Sequence, residues 1–155
     1  MRRPISFYLL CSLLLFLGVN ATVGGAMLIL KPDGSLLGMQ QDWLDHAPFE
    51  NYLLPGLILF LVYGIFPLFI LTGLALKLSW RRANALNIFP AMHWAWTYSL
   101  YAGIMVITWI AFQMLMTQYF WLQPVVIFLG LLIIIFTMMP GVIKFFAHKN
   151  NTFIT

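Results

Sequence analysis

Residues 31–52 read KPDGSLLGMQQDWLDHAPFENY, and their acidic side chains decide how the rest of the chain is read. Asp33, Asp42, Asp45 and Glu50 are the only acidic residues in the protein, against eight Lys and Arg, of which only Lys31 shares the stretch. Apolar runs flank it at 7–30 and 53–76, and two more follow at 95–116 and 125–146. Each is near the roughly 20 residues that cross a hydrocarbon core of about 30 Å. At 63% hydrophobic and 8% charged, the chain has too few charges to clothe a water-facing surface, where about a quarter of residues are charged. The sequence therefore predicts a single all-α domain, an integral-membrane four-helix bundle whose first outer loop is 31–52.

The basic residues set the orientation. Arg2 and Arg3 precede the first run, Lys77, Arg81 and Arg82 follow the second, and Lys144 and Lys149 close the fourth. Positive charge collects on the cytoplasmic side of short loops. Both termini and the loop after the second run are thus expected inside an inner membrane, with 31–52 and the turn at 118–123 outside. Trp80, Trp94 and Trp96 are expected at the inner interface, and Trp43, Tyr52, Tyr119 and Trp121 at the outer one, since these rings are apolar with one polar atom. A basic start before an apolar stretch also describes a signal peptide, but the apolar character runs on to Leu30, and a first membrane helix is expected. The net charge of +4 is scattered, so no nucleic-acid surface is expected, and the single Cys11 excludes an intrachain disulfide.

Within the acidic stretch, 35–46 reads as a short amphipathic helix. At about 100° per residue Leu36, Leu37, Met39, Trp43, Leu44 and Ala47 share one arc, while Gln41, Asp42, Asp45 and His46 share the other. Asp33-Gly34-Ser35 supplies a turn and cap, and Pro48 a stop. Such a helix would lie on the outer leaflet or cover the bundle as a lid. Asp33, Asp42, Trp43, Asp45, His46 and Glu50 form the candidate ligand or partner surface. Asp42, Asp45 and His46 could hold a metal, but a solvated polar face accounts for them equally, and no metal is assigned.

Inside lipid, helices associate through close backbone approach and polar contacts. Gly18, Ala21, Thr22, Gly25 and Ala26 make a strip of small residues on the first helix, the candidate for a tight central contact. Asn20 is expected to point into the bundle. Pro67 predicts a kink near Tyr63, and Pro140-Gly141 a kink or stop in the fourth helix. Thr97, Tyr101, Met105 and Thr108 recur along one side of the third helix. With Asn20 and Thr22 they are the candidate pocket or packing residues, able to wall a site for a lipid or quinone. His93 is expected to be a hydrogen-bonding interfacial residue. No ionisable residue falls mid-span, which argues against a proton-coupled pump. No phosphate loop, nucleophile elbow or zinc-protease helix is present.

Gly24-Gly25, the run Lys31-Pro32-Asp33-Gly34-Ser35-Leu36-Leu37-Gly38-Met39, Pro48-Phe49 and Leu53-Leu54-Pro55-Gly56-Leu57 resemble small bacterial four-span membrane proteins of unassigned function, in a layout similar to DoxX-like proteins. The resemblance covers the first half of the chain. It implies no functional residue here, because the second helix has no acidic residue and no redox motif is present. The expected function is non-enzymatic: binding of a lipid-like molecule or a partner membrane protein, without a cofactor. The alternatives are an oligomeric channel or passive transporter, built as a homo-oligomer, and a metal-dependent enzyme using Asp42, Asp45 and His46.

Overall fold

A computed structural model describes residues 3–44 and 47–147. Three helices are long and apolar enough to cross a membrane: α1 (Ile5–Leu30), α2 (Leu53–Leu76) and α3 (Trp94–Met116). A fourth span follows if α4 (Leu122–Met138) and α5 (Pro140–Phe146), bent by 61° at their junction, are taken together. Among the described residues the only extended pairing is an isolated bridge between Met92 and Ala147. The chain is thus a helical bundle.

Glycine sets how closely the helices approach. The strip on α1 lies directly on α2. A Cβ added to Gly25 would stand 2.5 Å from the Phe60 backbone nitrogen, and one added to Gly64 would stand 2.5 Å from Thr22 Oγ1. Gly18 faces Gly64, and Gly56 faces Leu28 and Gly25. The second pair repeats the device, with a Cβ on Gly103 falling 2.9 Å from Gly130 O. Such contact maximises dispersion where lipid offers no hydrophobic drive. Thr22 Oγ1 donates to Gly18 O at 2.7 Å, so the hydroxyl is satisfied within α1.

Two expectations about proline meet different outcomes. The predicted kink near Tyr63 is replaced by a π-helical stretch, Leu59–Ile65, within a continuous α2. Pro67 has no N–H to offer the Tyr63 carbonyl, and the wider turn accommodates the defect without a sharp bend. At Pro140 the helix does break: Met139 is extended at ψ 136°, as the residue before proline prefers, and α5 turns beneath the bundle. There Val142 and Phe146 join Phe7, Leu10, Ile70, Leu74 and Ile133 in the main core.

Trp94 and Trp96, expected at the inner interface, are buried within the protein, 1% and 4% exposed. The reason is the segment 77–93, which folds back over the first turns of α3. Trp94 Nε1 donates to Leu78 O at 2.7 Å, Tyr98 Oη to Ala83 O at 2.8 Å and Tyr101 Oη to Leu86 O at 2.9 Å. Seven residues separate Trp94 from Tyr101, so the segment climbs about 10 Å along α3. Irregular backbone at that depth must be supplied with donors, and aromatic side chains supply them. Trp96 Nε1 does the same for Thr137 O in the last turn of α4, at 2.8 Å. Asn87 holds the turn by donating to Met92 O and accepting from Thr97 Oγ1 and Phe89 N. Lys77 closes α2 in the left-handed region at φ 49°. Its Nζ donates to Phe145 O at 3.0 Å and lies 3.5 Å from the Phe145 ring centroid. Burial, then the charge of Arg3, push that amine below its ordinary value.

Neighbouring glycines on α1 should answer differently to the same change. Gly25→Ala drives a methyl into the α2 backbone and should lower thermal stability in detergent by ~1–3 kcal/mol, the cost of overpacking. Gly24→Ala meets nothing nearer than Leu59 Cδ2 at 3.5 Å and should be neutral or stabilising by up to about 1 kcal/mol, because alanine loses less backbone entropy in a helix. Equal losses at both positions would contradict the α1–α2 contact.

A candidate ligand cavity beneath the acidic loop

The stretch 31–52 folds into a lid, though not as one amphipathic helix. Ser35–Leu37 and Gln41–Leu44 are separate 3-10 turns, because Gly38 sits at φ 64° and interrupts the helical path. Gly34, at φ 78°, makes the entering turn, where a Cβ would stand 2.9 Å from the Tyr52 ring. Asp33 Oδ1 accepts from Ser35 N at 3.0 Å, and that hydrogen bond holds the carboxyl below its usual value. Tyr52 ties the lid shut. Its N donates to Pro32 O at 2.9 Å and its Oη to Gln40 O at 2.6 Å, while the ring packs with Leu44 and Leu28. Burial, then the Asp42 charge, push its phenol up. The Trp43 ring meets Phe120, 5.8 Å between centroids, joining the lid to the turn between α3 and α4.

Beneath the lid lies a cavity of about 760 Å³. Its walls are α1 from Phe16 to Leu28, the first half of α2, the outer part of α3 from Val106 to Gln113, and α4 from Leu122 to Leu132. The lid contributes Leu37, Met39, Trp43 and Leu44. The lining is overwhelmingly apolar. Its polar members include Asn20, Tyr63, Gln113 and Gln123. Tyr63, carried by the π stretch of α2, donates to Met105 O at 3.0 Å and packs on Trp109. Gln123 is buried, accepts from Phe120 N at 3.2 Å and reaches Thr117 Oγ1 at 3.4 Å. A mostly apolar hollow with a few placed polar groups, within the roughly 300–1,000 Å³ usual for small-molecule sites, can hold a ligand.

The sequence-derived candidates divide. Asn20 lies on the cavity wall but is exposed rather than turned into the bundle, and its Nδ2 donates to Phe16 O at 2.8 Å in its own helix. Trp43 lines the cavity roof, while Asp33, Asp42 and Glu50 are exposed on the lid. Asp45 and His46 lie outside the described residues. Thr22 packs between α1 and α2. Thr97 and Tyr101 hold segment 77–93, and Thr108 is exposed and donates to Ile104 O at 2.9 Å, so the predicted stripe on α3 does not wall the cavity. His93 caps α3: Nδ1 accepts from Ala95 N at 3.3 Å, and Nε2 lies 3.2 Å from Leu78 O. Tyr63, Trp109, Gln113 and Gln123 were not among the candidate site residues read from the sequence. Gln113 and Tyr63 were visible as polar atoms in apolar runs, but nothing in the pattern indicated that α1 and α4 part toward the lid.

Against protein-family models, curated proteins and solved structures, the chain gives no match. The resemblance to DoxX-like proteins therefore gains no support there. What the fold carries is coarser: a small helical protein with three or four helices long and apolar enough to cross a membrane.

Tyr52→Phe removes the bond to Gln40 O and leaves the ring in place. Amide hydrogen exchange across 31–52 should then rise several-fold while the α1–α2 contact stays protected. Unchanged exchange in the lid would show that the phenol does not secure it.

Proposed function

We propose that this is a non-enzymatic protein of a bacterial inner membrane that holds one lipid-like molecule beneath its acidic lid. The observation that carries the reading is the 760 Å³ apolar cavity between α1, α2, α3 and α4, roofed by Trp43 and its neighbours. A ligand there would exchange lipid contacts for close-packed side chains, with Asn20 and Gln113 available to a polar group. The orientation, with both termini cytoplasmic, rests on Arg3, Lys77, Arg81, Arg82 and Lys144 at one end of the bundle and Asp33, Asp42 and Glu50 at the other. Kinship with DoxX-like proteins remains part of the proposal, carried by the motifs of the first half alone.

An oligomeric channel would use the small-residue strips between subunits. Those strips are taken up within the chain, α1 against α2 and α3 against α4, which favours the lipid-binding reading.

Gently purified protein should retain one lipid per chain by native mass spectrometry. Gly24→Leu places bulk in the cavity at a position where a Cβ is accommodated. It should preserve helicity and melting temperature yet reduce retained lipid at least ten-fold. A wild-type protein that is stable and lipid-free, or a Gly24→Leu variant that keeps its lipid, would refute the proposal.

A further inference from the structure

Resting on that reading, we infer that the ligand is an uncharged single-headed amphiphile, such as an acylglycerol or a long-chain alcohol, and that it enters sideways between α1 and α4 from the lid-side half of the bilayer. Three observations carry this. The first is the chemistry of the wall. None of the described cavity-lining residues is Asp, Glu, Lys, Arg or His. A phosphate or carboxylate drawn inside would lose its hydration with no cation to replace it, whereas a hydroxyl or ester needs only hydrogen-bond partners.

The second is the state of those partners. Tyr63 and Tyr52 already donate to backbone carbonyls, and Thr117 Oγ1 donates to Gln113 O at 2.9 Å. Asn20, a lining residue, spends one amide hydrogen on Phe16 O, which leaves Oδ1 and its second hydrogen for a ligand. Asn20 precedes the lid end of α1 by ten residues, about 15 Å at the helical rise, whereas Gln113 is within the last turn of α3. An amide near the mouth and another deeper in suit a neutral donor and acceptor set along one chain, and they offer nothing to an anion that water does not offer better.

The third is the opening. α1 and α4 meet near the basic end, where Leu10 and Leu14 join Ile133 in the core. Toward the lid both helices line the cavity, and some of those lining residues reach the protein's flank: Phe16 and Val23 on α1, 59% and 51% exposed, and Val125 and Phe128 on α4, 49% and 60% exposed. All four are apolar, as a gap facing acyl chains requires. The lid, latched by Tyr52 and by Trp43 on Phe120, covers the route from water.

The test uses the full chain with three probes sharing an oleoyl chain: 1-oleoylglycerol, oleate at pH 8 and dioleoyl phosphatidylglycerol. Native mass spectrometry should give a single 1-oleoylglycerol adduct at least ten-fold more readily than either anion. Asn20→Leu should reduce that adduct about ten-fold while leaving the melting temperature unchanged. Val23→Trp, at an exposed position, should slow loading from phosphatidylcholine vesicles doped with 1-oleoylglycerol by several-fold. Equal or better binding of oleate or phosphatidylglycerol that Gly24→Leu abolishes would overturn the neutral-head assignment and leave the cavity reading standing. An unchanged loading rate in Val23→Trp would overturn sideways entry. Failure of all three probes to bind would end both inferences together.

Discussion

The backbone contact between α1 and α2 is what the rest of the structure hangs on. Gly18, Thr22 and Gly25 meet Gly56, Phe60 and Gly64 so closely that a methyl group at several of these points would strike main-chain atoms. In lipid, burying one apolar side chain against another changes little, because the surroundings are equally apolar. Dispersion between closely approaching backbones distinguishes the folded bundle from separated helices. The Gly103–Gly130 contact joins α3 to α4 in the same way. Two tight pairs, closed on each other at the basic end, leave the cavity among the four helices at the lid end.

The basic end is closed by a different means. Segment 77–93 is irregular, and its carbonyls would be orphaned against an apolar helix. The indole of Trp94 and the phenols of Tyr98 and Tyr101 donate to three of them in succession. Each bond is worth about 0.5–1.5 kcal/mol net, but leaving the carbonyl unpaired would cost more. The aromatic residues at the start of α3 thus serve as hydrogen-bond donors inside the protein. Trp96 on Thr137 O extends the arrangement to α4, just before proline ends it.

Polarity within the bundle follows a division of labour. Thr22, Ser99, Thr108 and Thr137 all donate to the carbonyl four residues earlier in their own helix, which spends their one donor hydrogen, and none of them lines the cavity. The amides behave differently, since one hydrogen bond leaves an Asn or Gln with further capacity. Asn20 and Gln113 consequently carry the polar character of the cavity.

The membrane character, the helical class, the lid's location, the close-contact strip on α1 and the break at Pro140 were legible in the sequence, because each follows from local composition, spacing or the missing N–H of proline. The lid's internal form was misjudged: periodicity favoured one helix, but Gly38 adopts a left-handed conformation that splits it. The burial of Trp94 and Trp96 within the protein was not legible, because it depends on segment 77–93 folding back over α3. The stripe from Thr97 to Thr108 had helical spacing, yet spacing alone does not say which neighbour it faces. Sequence determined which segments are able to cross a membrane, since that depends on the apolar content and length of each segment alone. Only the tertiary structure decided where the helices touch and where they part, because a cavity is set by the relative placement of four helices and belongs to none of them singly.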